Sequence, residues 1–92
     1  MTTHTPEEAQ AFYDVANRFV ALANELAEEH GQPRVAAAIL WAASRYGAFA
    51  WAMSGASGRQ SRDDALDLFG AQYRKMMEDN LEQMLAEFKP PV

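Results

Sequence analysis

Between Val35 and Met53 the chain runs for 19 residues with a single charge, Arg45. Val35, Ile39, Ala42, Tyr46, Phe49 and Met53 alternate in steps of four and three, the spacing of a helical seam. The other side of this helix is apolar too: Leu40, Trp41, Ala48, Trp51 and Ala52 fall away from the seam at about 100° per residue. A helix that is hydrophobic nearly all round is central in a bundle, buried against a partner, or in a membrane. The membrane is disfavoured, because the stretch barely reaches the ~20 residues a span needs and Arg45 sits near its middle. No membrane span is expected, so the rest of the chain must either wrap this helix or leave it for a partner.

The flanking segments are ordinary amphipathic helices. The first opens with Thr5-Pro6-Glu7-Glu8, an N-cap, a proline at the first helical position and a capping-box acid. Its seam is Phe12, Ala16, Phe19, Ala23 and Leu26, widened by Ala9, Tyr13, Val20 and Ala27, and it stops at His30-Gly31. The third follows a polar loop, Gly55 to Ser61, with Ser61 as cap and Asp63 and Asp64 in its first turn. Its stripe is Leu66, Phe69, Tyr73, Met76 or Met77, Leu81, Met84, Leu85 and Phe88, and Lys89-Pro90-Pro91 ends it. Helices are therefore expected at about 6–30, 33–54 and 62–88 of a single helical domain. Short connections between long helices favour antiparallel neighbours. The expected fold is all-α: an up-down-up antiparallel three-helix bundle that self-associates through its second helix.

Composition narrows the function. A domain of 92 residues buries only a little over ~60% of its unfolded surface, so association would help it. Thirteen acids against eight bases give a net charge of −5, which argues against nonspecific nucleic-acid binding. The charge is uneven: residues 1–31 carry six acids and one base, and residues 32–54 carry two bases and no acid. Residues 55–92 carry seven acids and five bases, with signs mixed as in ordinary helix-surface pairs. No cysteine is present, which excludes disulfides, thiol nucleophiles and zinc knuckles. Met1-Thr2-Thr3-His4 is not followed by an apolar run, so no signal peptide is expected and the cytoplasm is the expected location.

No catalytic constellation emerges. A di-iron bundle needs Glu-x-x-His on two helices, and Ala27 and Met1 stand three residues before His30 and His4. Glu25, Glu28, Glu29 and His30 read as a solvated acidic face, so neither metal nor cofactor is expected. Ser44, Ser54, Ser57 and Ser61 have no histidine in a convincing relation, and the glycine loop lacks a P-loop Lys-Ser/Thr. Arg45 is harder to dismiss. Either its stem packs and its head reaches the surface, or it forms a buried ion pair or holds an acidic ligand.

Trp41 and Trp51 lie off the main seam, about 80° apart, with Leu40, Ala48 and other small residues nearby, as in an anchor surface. A homodimer meeting through the second helix would cover them. The leading expectation is thus a non-enzymatic interaction or accessory module that binds itself, with another protein as a further partner. The alternative is a small-molecule-binding regulator or enzyme, with an inter-helix pocket around Arg45 lined by Tyr13, Tyr46 and Tyr73.

Three segments carry a resemblance. They are Phe12-Tyr13-x-x-Ala16-Asn17-Arg18-Phe19, Ser44-Arg45-Tyr46-x-Ala48-Phe49 and Phe69-x-x-Gln72-Tyr73-Arg74-Lys75-Met76. In these the chain resembles a small proteobacterial family of helical proteins of unknown function. The resemblance implies a short helical bacterial protein in the cytoplasm and supplies no substrate, cofactor or catalytic residue. Ser44 and Gly47 depart from the Ala and Asn expected in relatives, so no polar role at position 47 is carried over.

Overall fold

The computed structural model describes residues 5–88. The readings of Met1 to His4 and of Lys89-Pro90-Pro91 therefore lie outside the described residues. Within them the chain is all helical: α1 (Pro6–His30), α2 (Gln32–Met53), a single 3-10 turn (Ala56–Gly58) and α3 (Arg62–Glu87). These bounds fall within a residue of the expected ones, and no strand occurs among the described residues. None of these helices is long and apolar enough to cross a membrane.

Local chemistry accounts for each boundary. Thr5 is extended, and its side-chain oxygen accepts the Glu8 backbone N–H at 3.1 Å, an N-cap worth about 1 kcal/mol. Gly31 ends α1 at φ 86° and ψ 148°, donating its N–H to the Ala27 carbonyl at 2.9 Å. The Gly31 carbonyl then accepts the Val35 N–H at 3.2 Å, so one residue closes α1 and opens α2. For this reason α2 begins at Gln32, one residue earlier than expected. Pro33 still falls in the first turn, where its missing N–H leaves no helical bond unmade.

The second connection is built differently. Ser54 donates its hydroxyl to the Trp51 carbonyl and accepts the Ala56 N–H, drawing the end of α2 into the turn. Gly55 takes the left-handed conformation, φ 81° and ψ 1°, and the 3-10 turn occupies what the sequence presents as an irregular loop. Ser61 then starts α3 with a full capping box. Its oxygen accepts the Asp64 N–H at 3.0 Å, and the Asp64 carboxylate accepts the Ser61 N–H at 3.4 Å.

The chain divides into two compact units, Met1–Phe49 and Ala50–Val92. In the first, Val35 is buried at 8% exposure, and the half-buried residues are all small: Ala16, Ala23, Ala27, Gly31 and Gly47. In the second, Ala65 is buried at 8%, with Trp51, Ala56 and Gln60 half-buried around the turn. The large seam residues are exposed in both. Phe12, Phe19, Phe49, Leu66 and Met76 all keep more than half of their surface in solvent.

The two glycines separate two kinds of backbone demand. A Cβ on Gly31 would meet no neighbour within 4 Å, so any penalty there is conformational rather than steric. Its φ and ψ lie where essentially only glycine is at ease, whereas asparagine tolerates the left-handed region of Gly55. Gly31→Ala and Gly31→Asn are both expected to lose about 1–3 kcal/mol in urea unfolding at one fixed protein concentration. Gly55→Asn is expected to lose less than Gly55→Ala. Recovery of stability by asparagine at position 31 would contradict this reading.

Candidate functional site

Arg45 and Trp41 stand one helical turn apart on α2, a spacing that makes side chains neighbours. The Arg45 guanidinium carbon lies 5.8 Å from the Trp41 ring centroid, within reach of a cation–π attraction. Arg45 is exposed, and no carboxylate among the described residues pairs with it. The reading in which its head reaches the surface is therefore the one the structure displays, with the Trp41 ring within cation–π reach.

Beside this pair, Tyr46 and Phe49 approach with ring centroids 6.1 Å apart and planes tilted by 45°. Together with Ala42 and Ala48 they line an open groove of about 700 Å³ along α2, floored mainly by apolar atoms. Trp41 and Tyr46 are 64% and 72% exposed, so the aromatic surface is available to a partner. Ser44, within the same stretch, donates its hydroxyl to the Trp41 carbonyl at 2.7 Å and is committed to the helix backbone.

The sequence-predicted residues are thus divided. Arg45 and Tyr46 line the groove, and so do Trp41 and Ala48. Tyr13 and Tyr73 do not line it; Tyr13 packs edge-on against Phe12 at 5.2 Å, and Tyr73 is exposed on α3. Leu40 is half exposed on α2 and also lies outside the groove lining. Trp51 has a separate local role. Its indole N–H donates to the Gln60 side-chain oxygen at 2.9 Å, tying the end of α2 to the residue before the α3 cap. Gln60 is the residue that sequence reasoning missed. An amide nine residues after a tryptophan, across a loop, carries no periodic signal.

Elsewhere the electrostatics are local. His30 lies 3.8 Å from the Glu29 carboxylate, Arg74 pairs with Glu78 at 2.9 Å, and Lys75 with Asp79 at 3.2 Å. The Asp79 carboxylate, hydrogen-bonded to Lys75, holds that ammonium's pKa above its ordinary value. Such exposed pairs add little stability. No group of three or more His, Asp or Glu side chains among the described residues gathers where a metal ion could sit.

The model of the family described as "Protein of unknown function (DUF3144)" matches residues 12–85, four-fifths of the chain. The chain belongs to the DUF3144 family. That match covers α2 and most of α1 and α3, including the groove residues of α2 and the Trp51–Gln60 corner. Comparison with curated proteins and with solved structures gives no match. Membership therefore brings no activity with it, and the reading of function rests on the groove.

The corner bond is testable alone. Gln60→Leu leaves the half-buried indole N–H without its acceptor and is expected to lose about 1 kcal/mol in urea unfolding. Trp51→Phe in the Gln60→Leu background should add less than it does alone, because the bond is already gone. Fully additive losses would mean that the two side chains do not interact.

Proposed function

We propose that this chain is a non-enzymatic helical interaction module that forms a homodimer through α2, with its helices as an up-down-up bundle in the cytoplasm. The observation that carries the reading is the exposure of the α2 aromatic face, centred on Trp41, Tyr46 and Phe49, together with that of the α1 seam. Soluble proteins rarely leave contiguous apolar surface of this kind uncovered, and such surfaces mark interaction sites.

Magnitudes favour a reversible dimer. Full burial of a large apolar side chain contributes about 1.5–3 kcal/mol. Four such side chains from each copy, each covered over about two thirds of its surface, release on the order of 10 kcal/mol. Association opposes this with about 4–15 kcal/mol of lost freedom. The terms are comparable, so dimer and monomer should interconvert within an accessible concentration range.

Light scattering across a dilution series is expected to show the mass falling from dimer to monomer with helicity retained. Trp41→Ala should shift the midpoint to at least about tenfold higher concentration, a change of ~1.4 kcal/mol or more. A monomer at every concentration would overturn the proposal.

A second reading has one observation in its favour: the unpaired Arg45 head at the edge of the apolar groove fits an acidic small molecule. Against it, every lining residue comes from α2, so the groove is open, whereas small-ligand sites bury most of their ligand. A thermal-shift screen with acidic aromatic compounds separates the two, since the dimer reading expects no shift.

A further inference from the structure

Resting on the dimer reading, the charges of α2 identify which surface covers it. We propose that α1 of a second copy lies antiparallel along the Arg34–Trp41–Arg45 stripe of α2, with Glu25 on Arg34 and Asp14 on Arg45. By two-fold symmetry the same contact forms twice, each copy contributing one α1 and one α2.

Three observations carry this. First, Arg34 and Arg45 are the only charges on α2. They are eleven residues apart, so they share a face within about 20° and stand roughly 16 Å apart along the axis. Asp14 and Glu25 on α1 have the same eleven-residue spacing and the same facing. They border one side of an exposed apolar row, Val15, Phe19, Leu22 and Leu26. In the antiparallel register that matches the four charges, Arg18 of the partner comes opposite Trp41, whose ring already attracts one guanidinium.

Second, neither Arg34 nor Arg45 forms an ion pair among the described residues, where every such pair joins neighbours or lies within one helical turn. Glu25 also has none, and Asp14 accepts only the Gln10 amide, at 2.9 Å, leaving lone pairs for a cation.

Third, the charges at the Gly31 side of both helices, Arg34 and the acids led by Glu25, oppose the helix dipoles of their own chain. Arg34 stands in the first turn of α2, where positive charge is unfavourable, and that turn holds no acid. Glu25 heads the acids Glu25, Glu28 and Glu29 toward the negative end of α1. An antiparallel partner brings the acidic end of α1 to the basic end of α2 and relieves both. Two α2 helices meeting face to face would instead bring together surfaces of one sign.

Charge reversal tests this directly. One double variant carries Arg34→Glu with Arg45→Glu; the other carries Asp14→Lys with Glu25→Lys. Each alone is expected to be monomeric by light scattering while remaining helical by circular dichroism. Mixed in equal amounts they should form a dimer, because both contacts become complementary again. Persistence of the Asp14/Glu25 variant as a dimer of wild-type affinity would overturn the α1 assignment and leave self-association standing. A monomeric mixture would also overturn it. A wild-type chain that never dimerises would remove both readings. Should either variant lose its helices, the wild-type protein supplies the test. Its dissociation constant should rise several-fold from low to high salt, and salt independence would overturn the proposal.

Discussion

A helix with apolar side chains on nearly every side has no stable position in water by itself, and α2 is such a helix. The single chain meets this demand only in part. Among the described residues its buried positions are Val35, four residues after Gly31, and Ala65, in the first turn of α3. Both lie beside a connection between helices, and both are held by local bonds: the Gly31 bonds on one side, the Trp51–Gln60 bond and the Ser61 capping box on the other. The aromatic face of α2 and the seams of α1 and α3 stay exposed. The connections set the helix ends, and the faces between them stay open to solvent.

Much of this was legible in the residues, because the features concerned are local. Thr5 and Pro6 before an apolar period, Gly31 after one, and Ser61 three residues before Asp64 define helix ends through bonds of one turn's reach. The helices accordingly begin and end within a residue of expectation. Pro33 misled by one residue, since Gly31 serves both helices and pulls the start of α2 forward. The loop at 55–61 concealed a 3-10 turn and the Gln60 acceptor, whose bond to Trp51 spans nine residues with no periodic pattern to mark it.

The candidate site was legible in its composition and not in its arrangement. Arg45 and Tyr46 stood out as a charge and a phenol on an apolar helix, and both line the groove. The position of Trp41, one turn before Arg45, contained the cation–π contact in its spacing. Tyr13 and Tyr73 share that chemistry, and chemistry does not say which helix faces which. Periodicity identifies a face that needs covering. It is silent on the surface that covers it, and only the charge pattern of α1 against α2 speaks to that.

Membership of the DUF3144 family places the same three-helix stretch in a wider set without assigning it an activity. The central question is whether the α2 face is covered in solution, and Trp41 reports on it. In a Trp51→Phe background Trp41 is the sole indole, and its emission can be followed from high to low protein concentration. Coverage of α2 predicts blue-shifted emission in the concentrated protein, moving to the red on dilution while the chain stays helical. Red emission typical of a solvated indole at every concentration, from a chain that remains helical, would contradict the account.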